Sequence, residues 1–497
     1  MNAGLMGDGY HAGLAYPALF HRELTPAWLA ATVTALGHRA PGLAAPYAWC
    51  ELGCGPGLTT LIAAAANPGG RFYGVDFDPA AIAHAGALAE EAGIGNAHFQ
   101  RRSFAALAEA DAAALPPLDF IVLHGVLSWI SADNRRAVMR IVERWLKPGG
   151  IACLGYMAQP GSAPMMAMQR VLRRSAEVAG AAKGLASGFA LLRGLRDGGA
   201  GQFAVVPELG AQLDQAARHS AGYLAHEFLG EHWEPLHVAD MLAAAGQAGC
   251  SFVGSATPLE NIDAVSLPGG TQAAIGAIAD TALRETAKDI ARNQTLRRDI
   301  HQRGARPLTA AEHRDALLVQ RFAALPGAPA GGALRFETRI GPVDGPAEMF
   351  APLLERLAGA GSASFRDLLA SPGYAGRGGL LNQACQMLLW AGYLHPCQSV
   401  SDAAPAQALN RALWRRAAAG HDYAWVAAPA VGSGLPAGRA AMLAAHALDN
   451  DPSLRGPALV AAVRALDAGA ADARTLAAFE HDALPAWRRL GVLPERG

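Results

Sequence analysis

Charge is scarce in this 497-residue chain: Asp, Glu, Lys and Arg make up 17% of it, and the net charge is −1. A balance so near neutral offers no general attraction to nucleic acid or to an anionic membrane surface. Cysteine is sparse as well. The six, at 50, 54, 153, 250, 385 and 397, form no C-x-x-C and sit in apolar or strand-like surroundings. They read as reduced core residues rather than disulfides or zinc ligands. No uncharged apolar run is long enough to span a bilayer without a Pro or Gly break. The first residues lack the basic segment and apolar core of a secretory signal. A cytoplasmic protein with neither membrane nor nucleic acid as partner is expected. Short internal repeats are lacking too. Apolar residues, by contrast, are abundant at 52%, and the length calls for two to four domains.

The most informative stretch is Glu51-Leu52-Gly53-Cys54-Gly55-Pro56-Gly57, between a strand-like run and a helix-like run over 58–66. Glycines there let the backbone turn tightly and bring free amides at a helix N-terminus close to a ligand. A nicotinamide-binding loop would read G-x-G-x-x-G; here the third Gly comes one place early. That spacing, with Glu51 in front, resembles the cofactor loop of class I S-adenosylmethionine-dependent methyltransferases. Arg71 to Asp76 then reads as a parallel strand ending in an acid roughly 20 residues after the loop, the interval of nucleotide-binding βαβ units. A carboxylate there can accept both hydroxyls of a ribose, and Phe77 can cover one face of an adenine. Asp119 to Leu123 is a buried-strand run ending in His124-Gly125. Lys147-Pro148-Gly149-Gly150 is a tight turn feeding a strand from Ile151 to Tyr156. Such alternation implies a doubly wound parallel sheet with its ligand at the carboxyl ends of the strands. A generic βαβ domain for another nucleotide is the alternative.

Residues 1–46, with Tyr10, Tyr16, Phe20, Arg22 and Trp28, form a helical lid or an ordinary packing segment. Residues 47–310 carry the sheet, interrupted at about 162–232 by a helical insertion. The insertion holds a helix-prone stretch from Met165 to about Leu195 and a second pattern from Glu208 to Leu229. His237 to Ala248 is a helix feeding a strand over 251–256, and Leu296 to Arg303 is the last strand. After a Pro/Gly/Ala-rich linker over 325–332 and a short strand over 334–340 come helical runs at 347–358, 365–370 and 380–392. Helix, short helix, longer helix and a small wing give residues 311–400 a winged-helix pattern, and this region is the expected place of a regulatory domain. Its third helix region, 380–397, contains no Lys or Arg, which favours packing or protein contact over DNA reading. Residues 401–497 are Ala-rich and mostly helical.

Several segments together resemble bacterial class I methyltransferases with an appended methyltransferase regulatory domain, a group that includes protein-lysine methyltransferases. They are ELGCGPG (51–57), VDFDP (75–79), HGVLSWI (124–130), LKPGG (146–150), GYMAQPG (155–161), YLAHEFLGEHWEPLHVADML (223–242), FVGSA (252–256) and RRDIHQRG (297–304). The resemblance implies an α/β fold: a doubly wound Rossmann-like sheet with a helical insertion, a winged-helix-like α+β region and a helical C-terminal region. It implies S-adenosyl-L-methionine as cofactor and a protein lysine as acceptor. On it, Gly53, Gly55 and Gly57 take the methionyl and ribose side, Glu51 the amino group and Asp76 the ribose diol. Phe77 and Phe104 flank adenine, with Ser103 where many relatives carry an acid. His124 and Gly125 end the fourth strand beside the methyl group, His124 as base or as backbone-ordering residue.

A lysine ammonium, with a pKa of about 10.4 when free, must lose a proton before it attacks, and an aromatic pocket favours the neutral amine. Tyr156 and Trp129 are the candidates to line it. Tyr223, His226 and Glu227 share one helical face by their spacing, bordering the cleft or tying the insertion to the sheet. His226, His232 and His237 make no zinc-spaced ligand set, so no metal is expected. Leu127, Met157 and Ser162 depart from the group's pattern, which often has Tyr, Asn and an aromatic there. A small-molecule or glycan O- or N-methyltransferase, or a cofactor-binding scaffold whose catalysis has lapsed, are the rival readings.

Overall fold

Seven strands make one sheet at the centre of the molecule. In the computed structural model, which describes residues 5–6, 10–11, 16–400 and 402–494, they are β1 (Tyr47–Leu52), β2 (Gly70–Asp76), β3 (Ala97–Arg101), β4 (Leu118–Leu123), β5 (Leu146–Met157), β6 (Cys250–Ser255) and β7 (Leu296–Arg303). Their order is β3-β2-β1-β4-β5-β7-β6. Strands β1 to β5 are parallel, and β7 runs antiparallel to both β5 and β6. The chain winds outward from β1 to β3 and then returns to β4. The switch point between β1 and β4 is where open α/β sheets bind ligands. The expected doubly wound sheet is therefore present.

Local chemistry accounts for the strands. Every residue of β1 is buried, as suits a central parallel strand covered on both faces. The turn expected at Lys147–Gly150 is absorbed into β5 as an irregularity, because pairing slips between Leu118↔Leu146 and Phe120↔Ile151. Gly149, at φ +80°, accommodates the extra residues. Of the N-terminal segment, residues 1–4, 7–9 and 12–15 and the side chain of Tyr10 lie outside the described part, as do residues 401 and 495–497. Trp28, on helix Pro26–Ala35, is core: it is fully buried and its indole N–H donates to the Ala256 carbonyl at 2.7 Å.

The insertion opens with helices Met165–Ala179 and Ala181–Asp197, which pack on one another across the bend at Gly180. The pattern read as one helix from Glu208 to Leu229 is two, Glu208–Ala216 and Ala221–Phe228. Ser220 divides them by capping the second, its Oγ accepting from the Tyr223 N–H at 3.3 Å. Leu172, Leu185, Phe189, Leu213 and Phe228 give these helices a core of their own.

Beyond the sheet, helices Ala347–Ala360, Phe365–Leu369 and Gly378–Trp390 pack around Phe350, Leu354, Leu381 and Leu388. A winged helix has a two-stranded wing after its third helix. Here a single strand, Leu394–Pro396, follows it and pairs with Arg321–Ala324, which precedes all three helices. The two-stranded hairpin, Leu334–Thr338 with Gly341–Gly345, lies upstream as well.

The C-terminal region turns back onto the sheet domain. Helix Ala404–Ala418 and the hairpin Trp425–Ala428/Ser433–Pro436 lie against helix Leu58–Ala66, every residue of which is buried. Leu61 and Ile62 share one core with Trp414, Val426 and Leu435. Burying each such aliphatic side chain contributes roughly 1.5–3 kcal/mol. The alanines at 63–66 leave the depth a facing helix needs. Asn67 donates to Gly432 O at 2.9 Å and Gln398 to Ala66 O at 3.2 Å, so the helix end is satisfied from the far end of the chain.

Candidate functional site

A cavity of about 390 Å³ opens at the switch point, within the size range of small-molecule sites. Its floor is the loop after β1. Gly53, Gly55 and Gly57 all have positive φ, at +75°, +50° and +78°. A Cβ on Gly53 would meet the Val126 side chain at 2.5 Å, so only glycine lets the loop pass beneath the β4 loop. Gly57 serves differently. It does not line the cavity; it starts helix Leu58–Ala66 in the left-handed conformation and packs against Ala85 and Phe99.

Two carboxylates face this loop. Glu51 is buried at the end of β1, where Oε2 accepts from the Thr60 hydroxyl at 2.6 Å. Burial pushes its carboxyl up to about 8; the Thr60 hydrogen bond opposes the shift and neighbouring Asp76 adds to it. Asp76, at the end of β2, accepts from the Gly55 N–H on Oδ2 and from the Asp78 N–H on Oδ1, both at 2.9 Å. Burial raises its pKa, and these amides counter the rise. Each carboxylate oxygen has a further lone pair, so Asp76 can hold the loop and still accept from a ligand.

Phe77, Ser103 and Phe104 form the next wall. Ser103 caps helix Phe104–Ala108, its Oγ accepting from the Ala106 N–H at 3.2 Å. His124 and Gly125, at the end of β4, form the opposite wall with Val126 and Trp129. The Trp129 indole N–H donates to the Glu227 carbonyl at 2.9 Å, which fixes it against helix Ala221–Phe228. The His124 ring stands 4.2 Å from that of His21, centroid to centroid. Burial, then His21 and Arg298, drives the pKa of His124 well below its ordinary value. Burial likewise lowers His21 to about 4. Both imidazoles are therefore neutral at physiological pH, and this wall adds no positive charge from histidine.

Tyr156, expected to line an acceptor pocket, is not among the cavity residues. Side chains alternate along a strand. Gly155 faces His124, where a Cβ would collide with the imidazole, and Tyr156 therefore turns to the face of Ala152 and Leu154. It is fully buried, and its hydroxyl donates to Asp299 Oδ2 at 2.5 Å. Asp299 in turn belongs to a buried ionic group in which Arg297 contacts Glu285, Asp289 and Asp299. Leu127, Met157 and Ser162 lie off the cavity too. Leu127 is core, the Met157 N–H donates to Ser128 Oγ at 2.9 Å, and the Ser162 hydroxyl donates to the Thr295 carbonyl at 2.7 Å.

Sequence reasoning missed His21, Leu19 and Thr59 on the cavity wall. The first two come from the N-terminal segment, where no motif marks them. Thr60 could have been found, since it lies one helical turn into the run after the glycines, within reach of Glu51. Also missed was His84. Its Nδ1 is 3.0 Å from the Pro56 carbonyl, which can only accept, so Nδ1 carries the proton. Nε2 then accepts from the Tyr423 hydroxyl at 2.9 Å. The glycine loop is thus braced from the C-terminal region.

Family models match two parts of the chain, a "Methyltransferase domain" over residues 50–152 and a "Predicted methyltransferase regulatory domain" over residues 220–303. An uncharacterised protein of Synechocystis sp. is 31% identical over 444 residues, spanning 87% of this chain and 86% of its own length. The chain belongs to the methyltransferases that carry this regulatory domain. It is an S-adenosylmethionine-dependent methyltransferase. Trans-aconitate 2-methyltransferase of Methylobacterium nodulans is 32% identical over 111 residues, 22% of this chain and 37% of that protein. The structure of PKMT2 from Rickettsia typhi in complex with AdoHcy has the same fold, with a TM-score of 0.70 and 17% identity over 90% of this chain and 91% of that one. The regulatory model matches residues 220–303 rather than the expected 311–400, and in this methyltransferase that segment supplies β6 and β7, and so completes the sheet. The cavity suits the cofactor: Gly53 and Gly55 keep its floor clear of side chains, one carboxylate has lone pairs for a diol, and a second lies where it could meet an amino group.

Proposed function

We propose that this methyltransferase acts on lysine side chains of a protein, with the cavity at the switch point as its cofactor site. The observation that carries the acceptor reading is the composition of one end of that cavity. Tyr16, Trp129 and His226 line it together, and the Tyr16 and His226 rings meet edge to face with 5.2 Å between centroids. An aromatic, water-poor wall favours the uncharged amine that the reaction needs and attracts a cation on its way in. The family resemblance to protein-lysine methyltransferases supports the same reading. So does the extent of chain outside the sheet domain, which offers a surface that a small acceptor would not need.

S-adenosylmethionine supplies an activated methyl group on a sulfonium. The chain's residues bind and align. Glu51 would pair with the amino group and Asp76 accept from the ribose hydroxyls. Phe77 and Phe104 would enclose adenine, with Ser103 at its edge. Gly53 and Gly55 would let the methionyl and ribose side approach the backbone closely, their own N–H groups being held by the Val75 carbonyl and Asp76, while Gly57 sets the helix start. His124 and Gly125 would border the transferring methyl, with His124 neutral and ordering the β4 end. Trp129 would line the acceptor's path. Tyr156 would act from behind, holding β5 to β7.

The test is incubation of the purified protein with methyl-labelled S-adenosylmethionine and a lysate of its host, followed by separation of proteins from small molecules. Label mapped to protein lysine is expected. Label confined to the small-molecule fraction would refute the lysine reading, and cofactor binding without any label would point to a scaffold.

A further inference from the structure

One carboxylate beside the aromatic end of the cavity has no part in holding the cofactor. Glu227 lies on helix Ala221–Phe228, four residues after Tyr223, so the two share a face and their side chains are hydrogen-bonded. Its backbone carbonyl anchors the Trp129 indole of the cavity wall. Tyr16, also on that wall, is close enough for its phenol to be influenced by both Tyr223 and Glu227. Two phenols and a half-buried carboxylate therefore meet next to the aromatic wall.

The electrostatics of this group are unusual. Burial lifts the Glu227 carboxyl to about 7, against the lowering effect of the Tyr223 hydrogen bond. Tyr223 is pushed up to about 12 by burial and by Glu227, and Tyr16 is also raised, by burial and then by both of them. Tyr16, Tyr223 and Glu227 act on one another here, with the His226 ring edge-on to Tyr16 and the His219 ring 4.4 Å from that of Tyr223; among the described residues no Lys or Arg offsets the carboxylate. A carboxylate in such surroundings gains strongly from an approaching ammonium, and its affinity for a proton near neutrality suits a general base.

We propose that Glu227, set behind Tyr16 and Tyr223, draws in the acceptor's ammonium and takes its proton before methyl transfer. This rests on the lysine reading above. One proton leaves nitrogen for a carboxylate oxygen, so ammonium and carboxylate become amine and carboxylic acid. The amine lone pair then forms the N–C bond to the methyl carbon while the C–S bond breaks with its electron pair going to sulfur. A sulfonium and an amine become a thioether and an N-methylammonium. The carboxylic acid releases its proton to solvent as the product leaves.

The experiment follows single-turnover transfer to the lysate protein that the wild-type enzyme labels on lysine, as a function of pH, alongside calorimetric affinity for S-adenosylhomocysteine. For the wild type the rate should rise through about pH 7 and then level. Glu227→Gln should be about 100-fold slower at pH 7 and gain about tenfold per pH unit toward the amine's own pKa of about 10.4. Its affinity for S-adenosylhomocysteine should be unchanged. Tyr223→Phe, which keeps the ring, should shift the wild-type rise to higher pH by removing the hydrogen bond that lowers Glu227. Glu227→Asp should recover part of the rate with a pH rise like that of the wild type. A Glu227→Gln enzyme with the wild-type rate or profile would overturn the proposal while leaving the lysine reading intact. No lysine label from the wild type would overturn both.

Discussion

Cofactor affinity should depend on pH through one buried group. In the free protein the Glu51 carboxyl titrates at about 8, mainly because of burial, so near pH 7 it is mostly protonated. Pairing with the cofactor's amino group requires the carboxylate. Each pH unit below 8 then costs about 1.4 kcal/mol, a factor of ten in affinity. Between pH 8 and pH 6 the dissociation constant should rise on the order of 100-fold, and binding at pH 7 should release close to one proton. S-adenosylhomocysteine carries the same amino acid and nucleoside and serves as the ligand, by calorimetry in buffers of differing ionisation enthalpy. Glu51→Gln should abolish both the slope and the proton release. It should lose about 1.5–3 kcal/mol of affinity at pH 9, the range for a charged hydrogen bond, and almost none at pH 6. The free protein has the opposite dependence. A folded pKa raised above the unfolded value makes the native state bind more protons between about pH 4.5 and 8, so this residue's contribution to stability declines as pH rises through that window. Glu51→Gln should therefore raise the melting temperature of the free protein at pH 9. A wild-type affinity that stays flat from pH 6 to 8.5, with no proton released, would refute the reasoning.

Asp76→Ala should weaken S-adenosylhomocysteine at least tenfold by removing contacts of roughly 1.5–3 kcal/mol and the Gly55 tether; unchanged affinity by calorimetry would contradict the ribose assignment. Tyr156→Phe should leave that affinity unaltered, because the side chain is off the cavity, but lower stability by about 1–3 kcal/mol through the hydrogen bond lost to Asp299; denaturant melts and calorimetry separate the two effects. Deleting residues 402–497 should abolish cofactor binding by uncovering helix Leu58–Ala66 and unbracing the glycine loop; a folded truncation with native affinity would show that the bracing is dispensable.

The lining of the candidate site was legible where it is local in sequence. Glu51, Gly53, Gly55 and Asp76 are read from strand ends and spacing, and the alternation of strands and helices yields the sheet. Tyr156 was misplaced because its direction depends on which face Gly155 takes, and that is set by His124 on a neighbouring strand. The strand at 394–396 pairs with one some 70 residues earlier, and no local pattern announces such a partner. Least visible was the return of the C-terminal region. Residues 311–497 read as an appendage, but contact between alanine-rich helices carries no motif, and Tyr423 gains meaning only beside His84.

That return has a consequence for how the enzyme comes into being. Asn67 closes the helix behind the glycine loop on a carbonyl 365 positions further along the chain. At roughly 5–20 residues per second, synthesis of the intervening chain lasts on the order of 20–70 s. Throughout that interval the outer face of helix Leu58–Ala66 is an uncovered apolar surface, a natural station for a chaperone. If docking of the last helices is what completes the cofactor site, as the truncation tests, the emerging polypeptide would stay inactive until it leaves the ribosome.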